Sequence, residues 1–380
     1  MDTLIQKTKK VLLSPWLALI TFAVLLVVKL SNPYMVESAR LKFYDYLMLG
    51  SPTQSEQIVT VNIGEKAIEK YGQWPFPREV HAQIISDIYG RGAALVGSTI
   101  LMPEPDRMGT DGVLVDTLKS HPVVLSQTVS DSCSRASATI RRTGVAVIGD
   151  GEATEFLPRY PCVLSNVSVL QEAAVGVGIT STLPETDGVV RRVPLLSQSS
   201  GEYYPAFALE MLRVAAGDSS YQAKINQTGV EALRIPSFET IKTDEYGRVF
   251  VNPNYVFPTV EVGSDIPRLD GKIVILGVTA AGIANPVATP SGAQHPHVLQ
   301  ASLLETLING DSVSIPNWSA IVDLAAFLGL ALALIILSRF RFSIIFIAVL
   351  LGGYFYLPLY LFAQQGILLD VTFNIFAIAI

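Results

Sequence analysis

The chain has 380 residues, a net charge of −6, half of its residues apolar and only 16% charged, where an ordinary soluble domain is about a quarter charged. That balance excludes a disordered chain, a collagen-like repeat and a disulfide framework, and with nothing basic in excess it argues against a nucleic-acid binder. The length allows two or more domains, and the apolar excess lies at the two ends rather than being spread evenly.

Residues 11–28 carry no charge, with Lys7, Lys9 and Lys10 before them and Lys29 after. About twenty apolar residues cross a bilayer core of ~30 Å, so 11–30 reads as a first transmembrane helix. The rival is a cleaved signal peptide, disfavoured because its apolar part is normally shorter and Val36-Glu37-Ser38 is a poor cleavage site. At the other end, 317–338 reads as a second span with one charge, Asp323, near its start. A short loop, 339–341, holds Arg339 and Arg341; 342–363 reads as a third span, and 364–370 as a turn. Residues 371–380 would cover only ~15 Å as helix. They read as the start of a fourth span, which implies a chain that continues in a longer protein.

Lys and Arg mark the cytoplasmic side of a span. Both basic clusters then place residues 1–10 and 339–341 in the cytoplasm and 31–316 outside it. Setting aside Lys7, Lys9, Lys10, Lys29, Arg339 and Arg341 leaves 21 Lys+Arg in 31–316; setting aside Asp2, Asp323 and Asp370 leaves 30 Asp+Glu, a net charge of −9. The two cysteines, Cys133 and Cys162, fall in this region. In an oxidising compartment they can pair; the alternative is two separate buried thiols.

Along the outer region, 34–49 has a helical apolar pattern, and the alternation Ile58-Val59-Thr60-Val61-Asn62-Ile63 predicts a strand. A short helix follows at 65–71. Gly72 and Trp74-Pro75-Phe76-Pro77-Arg78 make a rigid loop, because two prolines fix φ. Val80, Ile84, Ile85 and Ile88 give 79–89 helical spacing, ended by Gly90 and Gly92. A buried strand at 93–101 completes a strand–helix–strand order that predicts a βαβ unit and a parallel sheet. Further expectations are a helix at 113–121, a strand at 123–129, a polar loop at 130–144 and a strand at 175–182. The turn Glu185-Thr186-Asp187-Gly188 leads into an extended stretch at 189–196. A helix at 205–216, a strand at 272–279 and a helix at 298–308 complete the series. The predicted fold class is an α/β extracytoplasmic domain, its sheet mixed or mainly parallel and flanked by helices, with one transmembrane helix before it and three after it, the last incomplete.

Several motifs together resemble the CHASE2 family of extracytoplasmic sensory domains of bacterial receptors. They are Trp74-Pro75-Phe76-Pro77-Arg78; Gly92-Ala93 through Glu104-Pro105-Asp106; Asp187-Gly188-Val189-Val190-Arg191-Arg192-Val193-Pro194-Leu195; Pro205-Ala206-Phe207-Ala208-Leu209-Glu210; and Gly271-Lys272-Ile273-Val274-Ile275-Leu276-Gly277. Thr289-Pro290 and the helix ending Asn309-Gly310 continue the resemblance, which covers about 35–312. It implies one span, a sensor, usually three spans and then a cytoplasmic output: a class III nucleotide cyclase as the leading expectation, otherwise a histidine or Ser/Thr kinase. It also implies a bacterial inner-membrane protein, multi-pass and homodimeric, that detects an extracytoplasmic ligand or a periplasmic or cell-wall protein. The chain departs from the family at Ser98-Thr99 and Asn285, where an Asp is usual, and at His295-Pro296 and Gln300, where Pro-Gly and a His are usual. Any cation or polar ligand bound through those positions in relatives is therefore lost or altered here. That departure keeps a second reading in view: an envelope scaffold that binds a periplasmic partner without signalling.

The candidate ligand or signal residues are Trp74, Arg78, Asp187, Arg191, Arg192, Asn285 and Thr289. Each has a plainer reading. Arg78 would pair with Asp106 or Glu104 and hold its loop, Trp74 would be core or lid, and Asp187 belongs first to a turn. Arg191 and Arg192, on an extended segment, would face opposite sides, one towards a pocket and one towards solvent. His295 and His297, if extended, would share a face and form a weak metal pair, but a surface pair is the plainer reading. The glycine-rich loop with Thr289-Pro290 follows a strand, a common ligand position in α/β sheets. No nucleophile elbow, His-Glu-x-x-His motif or phosphate loop occurs in the sequence. No catalytic site and no cofactor are therefore expected in these residues.

Overall fold

The computed structural model describes residues 15–133, 143–151, 153–316, 318–337 and 343–379. Lys7, Lys9, Lys10, Arg339 and Arg341, on which the expected orientation rests, lie outside the described residues, as does most of the 130–144 loop. The chain divides into two units, Leu49–Ser314 and the helical remainder, Met1–Met48 with Ile315–Ile380. The helical remainder begins with α1 (Pro15–Ser31) and α2 (Tyr34–Met48).

From Leu49 the elements are β1 (Thr53–Gln54), β2 (Ile58–Ile63), α3 (Glu65–Tyr71), α4 (Arg78–Gly90), β3 (Leu95–Ser98), α5 (Asp111–Ser120), β4 (Val123–Ser130) and β5 (Gly144–Ile148). Next come α6 (Ala153–Phe156), β6 (Cys162–Leu164), α7 (Ser168–Ala173), β7 (Gly176–Ile179), β8 (Arg192–Pro194), β9 (Leu196–Ser199), β10 (Glu202–Pro205) and α8 (Phe207–Ala216). The unit ends with β11 (Ser220–Asn226), β12 (Gly229–Arg234), β13 (Thr240–Lys242), β14 (Arg248–Phe250), β15 (Tyr255–Val256), β16 (Thr259–Glu261), β17 (Ile273–Val278), β18 (Val287–Thr289), β19 (Gly292–Gln294) and α9 (Pro296–Asn309).

The main sheet has seven strands in the order β16-β2-β17-β3-β4-β6, with β7 also on β4. Every pairing in it is parallel except β4 with β6. Strand side chains alternate between faces, and two cores result. Ile58, Leu95, Val124 and Ile275 face one core with Phe207 and Leu209 of α8 and Leu299 and Leu303 of α9. Val59, Val61, Val96, Val123, Val274 and Leu276 face the other with Ile84 and Ile88 of α4 and Leu114 and Leu118 of α5. Burial on both faces is why β17 reads as a near-unbroken apolar run and why β2, β3 and β4 place apolar residues on both faces. The βαβ expectation holds, with β17 inserted between β2 and β3.

The expected stretch at 189–196 is not one strand. It splits into β8, paired with β14, and β9, paired with β10. Pro194, which ends β8, has no N–H to continue a ladder. A four-stranded sheet, β13-β12-β11-β5, takes three of its strands from 217–242 and one from 144–148, where the sequence had suggested no element.

The helical unit continues with α10 (Ser319–Leu337), α11 (Ser343–Gln365) and α12 (Thr372–Ala379). Among the described residues one helix, Ile345–Gln365, is long and apolar enough to cross a membrane. Ile20–Ser31 and Tyr34–Met48 meet that length only as a pair bent by 70°, and Ser319–Ala333 is a shorter apolar helix. The bend has a local cause: Pro33 cannot donate to the preceding turn, and Asn32 takes a left-handed φ of 40°.

Candidate functional site

In a parallel α/β sheet the carboxyl ends of strands and the amino ends of the following helices gather at one edge. Here Glu261, the last residue of β16, pairs in register with Asn62 of β2, and Asn62 pairs in register with Gly277 of β17. The three therefore share one face of the sheet. Gly277 contributes no side chain, and the ring of His297, from the first turn of α9, takes that space; a Cβ at Gly277 would overlap it. Asn62 Nδ2 donates to Glu261 Oε1 at 3.0 Å. The Asn62 Oδ1 is thus left to face His297 Nε2, at 2.8 Å. A carbonyl oxygen only accepts, so His297 carries its proton on Nε2 and leaves Nδ1 as a bare acceptor.

His297 is 1% exposed, and its Nδ1 finds no hydrogen-bond partner among the described residues. Burial, with the neighbouring His295, pushes its pKa down to about 3, so the ring stays neutral. The His295 ring lies 6.0 Å away, centroid to centroid, and its own Nδ1 is likewise buried without a hydrogen-bond partner. The surface pair expected of these two histidines is not found, since His297 is buried in the first turn of a helix. His295 caps α9 and Pro296 opens it, the first-turn position that suits proline. No group of three or more His, Cys, Asp or Glu fit to hold a metal occurs among the described residues.

The other predicted residues fall into two places. In the first, Arg78 opens α4 and is 8% exposed. It does not bind the carboxylates of Asp106 or Glu104. Its Nη2 donates to the backbone carbonyl of Glu104 at 2.8 Å, and its Nε lies 3.3 Å from Asp111 Oδ1. Asp106 instead receives the backbone N–H of Arg78 and of Thr110. Trp74 packs edge-on against Phe76 and His81, with centroids 5.1 and 5.7 Å apart. His81 is 1% exposed, and burial together with the Arg78 charge pushes its pKa down to about 4.

In the second place, Arg191 makes a two-pronged pair with Asp187, at 2.9 and 2.8 Å. The hydrogen bonds from Arg191 hold the Asp187 carboxyl below the usual carboxylate range. Arg192 grips Glu185 at 2.6 and 2.7 Å and reaches Asp244 at 3.3 Å. The expected contrast, one arginine to a pocket and one to solvent, is therefore wrong: both side chains are shielded and ion-paired. The β18–β19 hairpin lies beside them, since Val190 N–H donates to Ala288 O. The hydroxyl of Thr289 donates to Gly292 O within that hairpin, while Asn285 is exposed. Cys133 and Cys162 form a disulfide, with Cα atoms 5.4 Å apart; it joins the end of β4 to β6.

Asn62 and Glu261 were not singled out from the sequence. The signal was available for Asn62, the one amide in an otherwise apolar or β-branched strand. Glu261 becomes visible only when β16 is seen to flank β2. Clefts elsewhere in this unit are about 430 Å³ beside Arg159, Tyr160 and Gln198, and about 370 Å³ between Lys70, Asp87 and Ser264. The first has the buried polar side chains of Gln198 and Ser199 on its wall. The strand-end rim is the stronger candidate because two buried ring nitrogens there, His295 Nδ1 and His297 Nδ1, have no hydrogen-bond partner among the described residues.

A doubly covered parallel sheet with a polar rim at its strand ends defines the α/β class, in which such rims are a common ligand position, and the fold by itself assigns no function. The particular family follows from the sequence match. The CHASE2 domain model matches residues 19–337, and the chain belongs to the CHASE2 family. CHASE2 is an extracytoplasmic sensory domain found in receptors. Comparison with curated proteins and with solved structures gave no match.

Proposed function

We propose that the chain is the sensory half of a bacterial inner-membrane receptor. Residues 11–30, 317–338 and 342–363 cross the membrane, 371–380 begin another crossing, and the Leu49–Ser314 unit is periplasmic. The signal passes to a cytoplasmic output, a class III nucleotide cyclase being the leading choice, and the receptor works as a homodimer. The observation that carries this reading is the extent of the family match, which runs through the α/β unit and into the apolar helices on both sides of it in sequence. The ligand is taken at the rim formed by Glu261, Asn62, His297 and His295. A buried, neutral imidazole with a free lone pair suits a group that donates a hydrogen bond.

The test is sidedness. Asp265, whose side chain is 93% exposed, is replaced by Cys in a membrane-embedded chain. Intact cells with a permeabilised outer membrane are treated with an impermeant maleimide. Labelling before the inner membrane is broken supports the reading; labelling only after lysis ends it.

A further inference from the structure

Four helices of the helical unit bring one polar side chain each to a single point. Lys29 lies in the last turn of α1, Asp323 in the first turns of α10, Tyr354 midway along α11 and Asn374 in the first turn of α12. Lys29 Nζ donates to Asp323 Oδ2 at 2.6 Å and to Asn374 Oδ1 at 3.0 Å. Asn374 Nδ2 reaches Asp323 Oδ1 at 2.9 Å and the Tyr354 hydroxyl at 2.6 Å. The amide therefore accepts from the lysine and donates to the other two. Phe327 and Phe373 lie over the ammonium, 5.6 and 5.1 Å from ring centroid to Nζ, and Phe22 stacks on Phe327. The Lys29 side chain is 8% exposed and Asn374 is 1% exposed.

Ionisable groups on apolar helices are costly and persist where they pair with one another. Plain cohesion would be served as well by apolar side chains of the same volume. A charge pair threaded through an amide adds register, because its bonds are short and directional. Sliding one helix by a turn, about 5.4 Å, would carry Lys29 and Asp323 out of reach altogether, so the contact is made or broken rather than graded. Lys29 belongs to the helix pair that precedes the α/β unit in sequence, and Asp323 to the helix that follows it.

We propose that Lys29, Asp323, Asn374 and Tyr354 form a charge-paired latch that fixes α1 against α10–α12. This proposal rests on the receptor reading above: opening and closing of the latch is how displacement of the entering helix is passed to the helices that lead onward. The closed state is the one described.

The experiment is a distance measurement in the full chain reconstituted in lipid nanodiscs. Spin labels are placed at Ile20→Cys on α1 and Leu332→Cys on α10, both exposed positions. The native latch gives one narrow distance distribution. Lys29→Met adds a second population displaced by about one helical turn, ~5 Å. The swap Lys29→Asp with Asp323→Lys returns the single distribution, and the apolar pair Lys29→Met with Asp323→Leu does not. If Lys29→Met fails to insert, Asp323→Asn, which removes charge and keeps shape, is expected to give the same second population. The latch is overturned if the single-site variants keep the native distribution, or if the apolar pair restores it as well as the swap does. The readout needs neither ligand nor output domain. Failure of the sidedness test would leave a positive distance result standing, and the reverse.

Discussion

Acid should destabilise the α/β unit through His297 and His81 in particular. Both rings are 1% exposed and neutral in the folded state, with pKa values pushed down to about 3 and about 4 from an ordinary 6.5. Below pH ~6.5 the unfolded chain protonates both and the folded chain neither, so the unfolded state binds more protons and stability falls as pH falls. The loss should extend from about pH 6.5 down to the folded-state values. Between about pH 7 and about pH 5 each ring should cost about 2 kcal/mol, roughly 4 kcal/mol together. That is a large share of the ~5–15 kcal/mol of a typical domain. The assay is urea unfolding read by Trp74, the one tryptophan of Leu49–Ser314, in a chain carrying Trp16→Phe and Trp318→Phe. His297→Gln and His81→Gln should each remove about half of the pH dependence. A wild-type loss below about 1 kcal/mol, or variants as acid-sensitive as wild type, would refute the reasoning.

Three further outcomes follow from the packing. Gly277→Ala should cost about 1–3 kcal/mol, because its Cβ must displace the His297 ring and break the bond to Asn62; thermal melting of the variant checks this. Arg191→Met should cost about 3–5 kcal/mol by stranding the Asp187 carboxylate, and Arg191→Met with Asp187→Leu should recover most of it, as a double-mutant cycle would show. Cys133→Ser should lower stability by about 3–4 kcal/mol, since the disulfide closes a loop with a sequence separation of 29. A reductant should lower the melting temperature of the wild type and leave that of Cys133→Ser unchanged.

The sheet was legible where both faces are buried. β17 is a near-continuous apolar run, β2 is apolar but for Thr60 and Asn62, and β4 opens on Val123-Val124-Leu125 before polar residues follow; burial on both faces gives strands this apolar content. The strands between 220 and 261 were not: β11 and β12 mix polar and apolar residues on a half-exposed sheet, while β14, β15 and β16 are two or three residues long and pair with β8, β1 and β2 far away in sequence. The arginines show a related limit. Asp187 and Arg191 are four residues apart, and Arg192 and Glu185 seven, so their pairing was within local reach, yet alternation was read as two faces instead of two ion pairs. The surface pair read for His295 and His297 missed the burial of His297, because nothing in the local spacing shows that Gly277 of a distant strand leaves room for its ring. The rim itself needed the register Glu261, Asn62 and Gly277, which no spacing in the sequence expresses.

The position of β17 has a consequence for how the molecule is made. Residues 273–278 lie between β2 and β3, which precede them by more than 170 residues. During synthesis β2 and β3 therefore emerge long before the strand that joins them, and each waits with an open hydrogen-bonding edge. Long-range pairing of this kind slows folding and leaves such edges exposed to other chains. Chains released before residue 278 should accumulate as two unjoined halves of a sheet, prone to aggregation and to capture by chaperones. The last step of folding would then be threading the centre of the sheet rather than adding to its margin.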